Sequence, residues 1–258
     1  MASTPFETEP MISHLLLDIE GTTCPVSFVS DVLFPYATQQ LEAFIEQHHS
    51  NKDINKILQS AIKEHNQDND WLRNNRAIGS LNEPSGNRLG ITNYLKHLIS
   101  IDKKSTALKD LQGKIWKHGY THGDIVSTLF PETMTCLNQW RSMDLTLAVY
   151  SSGSIEAQQL LYHYTNSGNL KSLFSHWFDT HTGPKKEAKS YSTICNQMQV
   201  EPSAVLFISD SGDECDAAQC AGLETLFSHR VDNPDTNPRG HRKIDNLKEV
   251  SSVLNQRF

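Results

Sequence analysis

Four short apolar runs constrain this chain more than anything else in it. Residues 12–18 (ISHLLLD), 145–151 (LTLAVYS), 204–210 (AVLFISD) and 223–227 (LETLF) carry almost no polar alternation. Strands read this way when helices cover both faces of a parallel sheet. Amphipathic helical spacing fills the intervals. Leu137, Trp140, Arg141 and Met143 precede the second run, and Ile155, Leu160, Leu161 and Tyr164 follow it. Tyr191, Ile194, Cys195 and Met198 precede the third. Strand and helix alternating through short connectors predict an α/β fold with a parallel sheet and right-handed crossovers.

The interval between the first two runs exceeds a hundred residues, far too long for one crossover. Apolar residues recur there at three- and four-residue steps: Val32, Leu33, Tyr36, Leu41, Phe44 and Ile45, then Ile54, Ile57, Leu58, Ala61 and Ile62. After a polar, glycine-bearing break (GSLNEPSGNRLG) come Tyr94, Leu95, Leu98 and Ile99, then Leu108, Leu111, Ile115 and Trp116. Residues 31–128 therefore read as a helical insertion, between a core segment at 1–30 and the resumed core at 129–258. The tail HRVDNPDTNPRGHRKID reads as a surface loop before a short terminal element.

Composition narrows the function classes. With 258 residues, 37% hydrophobic and 21% charged, the chain is an ordinary globular protein rather than a disordered one. A net charge of -7 argues against a general binder of nucleic acid or anionic membrane, though a local site for an anion remains compatible with it. The five cysteines, Cys24, Cys136, Cys195, Cys215 and Cys220, are odd in number and form no CxxC pair, so free thiols in a reducing compartment are expected. The opening MASTPFETEPM is polar and acidic, unlike a signal segment, and no apolar run approaches the ~20 residues that span a bilayer. The expected location is the cytoplasm, with the nucleus as a second compartment, and a monomer is expected. His176, His181 and the other histidines lack a repeated ligand spacing and read as surface or core residues; Trp116, Trp140 and Trp177 read as packing residues.

Chemistry gathers where the strands end. The first delivers Asp18, Glu20, Gly21 and Thr22; the second, Ser151, Ser152, Gly153 and Ser154; the third, Asp210 and the acidic run through Asp213 and Glu214. In parallel sheets of this kind ligands bind at the carboxyl ends of the strands. Carboxylates from two strands suit a hard divalent cation such as Mg²⁺. Hydroxyls, backbone amides and a lysine from THTGPKKEAKSY suit phosphate oxygens. Ser151 and Ser152 are also natural caps for the helix expected from Ile155.

This order of motifs resembles the haloacid dehalogenase-type phosphohydrolases. Their usual Asp-x-Asp-x-Thr/Val motif here reads DIEGT, with Glu20 in place of the second aspartate. LLLDIEGTTCPVSFVSDVLFPY, YSSGSIEAQ and FDTHTGPKKEAKSY resemble the enolase-phosphatase E1 family of methionine salvage. The likeness also touches the insertion at TALKDLQGKIW and weakens through residues 50–100. It implies a Rossmann-like core with a mainly helical cap inserted after the first strand, closing over the site. The implied substrate is 2,3-diketo-5-methylthiopentyl 1-phosphate, converted by enolisation and then dephosphorylation to the acireductone 1,2-dihydroxy-3-keto-5-methylthiopentene. It implies Asp18 as nucleophile and Glu20 as acid and base. Mg²⁺ would lie on Asp18, Asp210 and the Glu20 carbonyl. Ser151, Ser152 and Lys185 would bind the phosphoryl oxygens, Lys185 being favoured over Lys186 by its register. Glu214 best fits a supporting acid, with Asp213 as competitor, and Lys104 is a candidate helper in enolisation.

Two rivals stay open on the sequence. One is a phosphatase of the same superfamily acting on another small ester without an enolase step. The other is a phospho-accepting signalling module, which also sets an acidic pair, a Ser/Thr and a lysine around Mg²⁺; the long insertion and the late FISD speak against it.

Overall fold

A computed structural model describes residues 11–78, 86–101, 103 and 105–255. The opening segment through residue 10, the front of the GSLNEPSGNRLG break and Lys104 lie outside the described residues.

Six strands form one sheet: β1 (His14–Leu17), β2 (Thr146–Tyr150), β3 (His176–Phe178), β4 (Val205–Ser209), β5 (Glu224–Ser228) and β6 (Arg242–Ile244). Their order is β3-β2-β1-β4-β5-β6, and each neighbouring pair runs parallel. β1 lies at the centre, with Leu16 opposite Ala148 on one side and Phe207 on the other. Leu15, Leu16 and Leu17 have no exposed surface. A fully buried leucine contributes about 1.5–3 kcal/mol, which explains why polar alternation is missing from these runs.

The helices are α1 (Val26–Phe28), α2 (Phe34–His48), α3 (Lys52–Gln67), α4 (Asn69–Leu72), α5 (Gly86–Ser100), α6 (Thr106–His122), α7 (Thr133–Ser142), α8 (Ile155–His163), α9 (Ala188–Met198), α10 (Gly212–Cys220) and α11 (Glu249–Asn255). On one sheet face Tyr191, Ile194 and Cys195 of α9 and Ala218 of α10 pack on Leu16, Ala148 and Phe207. By contacts the chain falls into two units, one of residues 1–29 with 126–258 and the other of residues 30–125. The second unit has its own core, in which Leu41, Leu58, Leu95 and Leu111 come from four different helices.

Several local expectations need correction. β3 and β6 were not visible as apolar runs. Each has three residues and becomes a strand by pairing, Ala148 with His176 and Leu226 with Arg242. The tail read as a surface loop contains β6 and buries Asn233 and His241. α5 begins at Gly86, so GNRLG belongs to a helix rather than to the break. Val32 sits in a π-helical turn, Val29–Leu33, and is exposed instead of facing a core. The cap of α8 is Ser154, whose hydroxyl accepts from the Ala157 amide at 3.3 Å, and not Ser151 or Ser152. All five cysteines are free thiols. Among the described residues no helix is long and apolar enough to cross a membrane.

Candidate active site

The chain turns sharply where β1 ends. Asp18 donates its amide to the Ile208 carbonyl of β4 at 2.9 Å and is nearly buried. The next residues wrap around one oxygen: the amides of Thr22, Thr23 and Cys24 all point at the Ile19 carbonyl, at 3.2, 2.9 and 2.9 Å. Gly21 closes the loop at φ 66°, donating to Cys24 O at 2.8 Å. A β-carbon there would lie 2.2 Å from Asp210 Oδ2 and 2.7 Å from Asn233 Oδ1, so only glycine lets the turn meet the end of β4. Thr23 secures the far side, its hydroxyl 2.6 Å from Tyr162 Oη and its carbonyl accepting from Phe130 N and Thr133 Oγ1.

Lys185 enters this cluster from the β3–α9 connection. Its backbone is held from below: Tyr150 Oη donates to Gly183 O at 2.8 Å, Ser190 Oγ to Pro184 O at 2.7 Å, and Tyr191 Oη to Lys185 O at 2.6 Å. The buried ammonium then sits 2.7 Å from Asp18 Oδ1 and 2.7 Å from Glu214 Oε2. Ser209 Oγ donates to Glu214 Oε2 at 2.8 Å and lies 3.2 Å from Asp18 Oδ2. Lys186 instead reaches the half-exposed Asp213, at 2.6 Å. Adjacent lysines thus have opposite fates, and so do the two acids that competed for the supporting role.

Asp18 and Glu214 pair with this lysine, and the carboxyls of Glu20 and Asp210 lie near enough to feel its charge. Burial raises the Glu20 carboxyl to about 7; Asp18 and Glu214 add to the rise and Lys185 opposes it. Burial, then Asp18 and Glu214, push Asp210 up to about 8. Glu214 is also raised, by burial and by Asp18 against the pull of Lys185. Burial alone would lower the Lys185 ammonium, yet Asp18 and Glu214 outweigh it and hold the group above the usual lysine range. Paired titratable groups displaced in this way mark a functional cleft.

The surplus of negative charge asks for a cation. Among the described residues no three His, Cys, Asp or Glu side chains converge into a metal cage. An all-oxygen set of low count, such as Asp18, Asp210 and the Glu20 carbonyl would offer, suits Mg²⁺, an ion that keeps several waters. The residues present fit that ion.

Ser151 and Ser152 follow β2. Ser151 is buried, donating its amide to Phe178 O at 3.2 Å and accepting from Gly153 N at Oγ, whereas the Ser152 side chain is exposed. Sequence reasoning missed Ser209, Tyr150 and Tyr191, whose signals are hidden within apolar strand and helix patterns. It also missed Asp179, which directly follows β3 and accepts from the His181 amide and ring at 2.9 and 3.0 Å. The Thr22 hydroxyl is buried with no hydrogen-bond partner among the described residues.

Residues 12–222 match the haloacid dehalogenase-like hydrolase family. The chain is 53% identical over 247 residues to enolase-phosphatase E1 of a Synechococcus species, covering 93% of this chain and 97% of that protein. It is 38% identical to enolase-phosphatase E1 of Yersinia enterocolitica, covering 93% and 97%. The crystal structure of the UTR4 protein of Saccharomyces cerevisiae superposes with a TM-score of 0.73 at 30% identity, covering 91% and 98%. Motif order, sheet topology and these relatives agree: the chain belongs to the enolase-phosphatase E1 family of the haloacid dehalogenase-like hydrolases.

Proposed function

We propose that this chain is a Mg²⁺-dependent enolase-phosphatase that converts 2,3-diketo-5-methylthiopentyl 1-phosphate to the acireductone and phosphate in methionine salvage. The observation that carries the reading is the pairing, two residues apart, of a buried aspartate held by Lys185 with a glutamate whose carboxyl is raised to about 7. A nucleophile needs a fixed, ionised carboxylate; an acid–base partner needs a carboxyl near neutrality.

Asp18 Oδ attacks phosphorus while the bond from phosphorus to the enol oxygen breaks. Glu20, protonated at the start, gives its proton to that leaving oxygen. It then takes a proton from the water that attacks the aspartyl-phosphate, so phosphate departs and both side chains return to their first state. Lys185 orients Asp18 and, with Ser151 and the Ser152 amide, binds the remaining phosphoryl oxygens. Asp18, Asp210 and the Glu20 carbonyl would hold Mg²⁺, which when bound would offset charge on the transferring phosphoryl group. The longer reach of Glu20 compared with aspartate would let it serve enolisation as well, giving its proton to a carbonyl oxygen of the diketone and taking one from the adjacent carbon, so that it returns protonated.

A soluble enzyme of small-molecule metabolism working in the cytoplasm is the setting this reading implies; nothing among the relatives points to the nucleus. The test is incubation with the diketone phosphate and Mg²⁺, following enol absorbance and released phosphate together. Both signals are expected. Phosphate release with no enol signal would favour the simple phosphatase, and a stable phosphoprotein without turnover the signalling module.

A further inference from the structure

The catalytic turn depends on a glycine. Gly21 is forced by the Asp210 carboxylate beside it and by its positive φ, and glycine is the residue least able to hold its own backbone conformation. Something else has to hold that peptide still. Three donors from the end of β5 and the segment that follows it converge on Gly21 and Thr22. Ser228 Oγ donates to Gly21 O at 2.9 Å, and Asn233 Nδ2 donates to the same oxygen at 3.0 Å. Arg230 donates from a terminal guanidinium nitrogen to the next carbonyl, Thr22 O, at 3.3 Å. Ser228 and Asn233 are 1% and 6% exposed, so these bonds compete little with water.

The donors are themselves fixed. Asn233 Nδ2 also donates to Ser228 O at 3.1 Å, which closes the segment on itself. The Arg230 guanidinium lies 4.1 Å over the Phe130 ring, is 2.8 Å from Glu132, and donates to Asp245 O at 2.9 Å. Glu132 in turn accepts from Leu247 N, and Phe130 N donates to Thr23 O. The Gly21–Thr22 backbone is thus tied to the β5 end, to the segment before α7 and to the segment before α11.

The geometry points to Arg230, Asn233 and Ser228 as a positioning clamp: they hold the Gly21–Thr22 peptides so that Asp18 and Glu20, on the same turn, keep their alignment. The inference rests on the proposed roles of Asp18 and Glu20. None of the three clamp residues touches the reacting atoms.

Asn233→Asp keeps the shape but replaces the donor with an oxygen facing Gly21 O. Ser228→Ala removes the other donor, and Arg230→Lys keeps the charge but not the fork. Val231→Ala, at a side chain 96% exposed on the same segment, is the control. Two readouts apply. The first is hydrogen exchange of the Gly21, Thr22, Thr23 and Cys24 amides, all bonded within the turn, and it needs no substrate. In Asn233→Asp and Ser228→Ala these amides should exchange at least about tenfold faster while β1 and β4 amides stay as in the parent. The second is p-nitrophenyl phosphate turnover, with competent sites counted by trapped phosphoenzyme. A displacement near 1 Å of the turn predicts kcat lower by roughly tenfold to a hundredfold with KM within about twofold, per competent site. Failure of the parent protein to release phosphate from the diketone phosphate would sink the catalytic reading, yet the exchange result would still decide the clamp. Parent-like exchange in the turn, or a kcat loss matching only the unfolded fraction, would overturn it.

Discussion

Replacing Lys185 by methionine tests the electrostatics of the site most directly. The side chain stays nearly as long while the ammonium between Asp18 and Glu214 disappears. In the parent that ammonium stands 2.7 Å from both Asp18 and Glu214, with all three side chains largely out of water. Breaking a buried pair by removing one partner leaves an uncompensated charge, at a cost of about 3–5 kcal/mol. The neighbours amplify the effect, because Lys185 also lowers the carboxyls of Glu20 and Asp210, which would rise further without it. The loss therefore has a pH signature. Carboxylates with raised folded-state values are easiest to bury when protonated, so the variant should lose most at neutral and alkaline pH and least near pH 5. Lys186→Met is the internal standard: its pair with Asp213 is two-thirds exposed on the lysine side, and such pairs contribute about 0–1 kcal/mol. Urea unfolding of metal-free protein at the two pH values, run beside phosphate release, reads both effects. Adding Glu214→Gln to Lys185→Met should restore part of the stability, since it removes one stranded charge, without restoring activity. Equal losses for Lys185→Met and Lys186→Met, or a Lys185→Met loss independent of pH, would refute the reasoning.

Asp18→Asn should abolish phosphoenzyme and phosphate release, leaving only enol signal, whereas Glu20→Gln should still trap phosphate on Asp18 but release it about 10²–10⁴-fold more slowly; near-normal phosphate release from Asp18→Asn would rule out the covalent step. The metal-free protein should lose stability as pH rises from about 4 to about 8. Glu20 and Asp210 hold protons in the fold that the unfolded chain has already released. The rise of Glu20 from 4.5 to about 7 alone corresponds to about 3 kcal/mol, and saturating Mg²⁺ should flatten the slope in a thermal-melt series. A melting temperature that climbs over this range in EDTA would contradict the charge surplus, and full activity in excess EDTA would sink the metal assignment.

The sequence by itself determined the sheet's centre and the cast of chemical groups. β1, β2, β4 and β5 were legible because parallel strands covered on both faces are largely buried and so mostly apolar. Asp18 and Glu20 stood out as candidates because charge is expensive to hold beside such a core, and Asp210 because it follows a strand of the same kind. β3 and β6 were not legible. Three residues carry too little pattern, and their strand character comes from a neighbour's free edge. Nor could spacing say which acid serves Lys185, since Asp213 and Glu214 are adjacent in the chain. One turn of α10 sends Glu214 inward to Ser209 and Lys185, and Asp213 outward to Lys186. Arg230 and Asn233 looked like loop residues in a polar tail. They meet Gly21 and Thr22 across some two hundred residues of chain, and only the folded sheet, laying β5 against β4 and β4 against β1, brings those donors to those carbonyls.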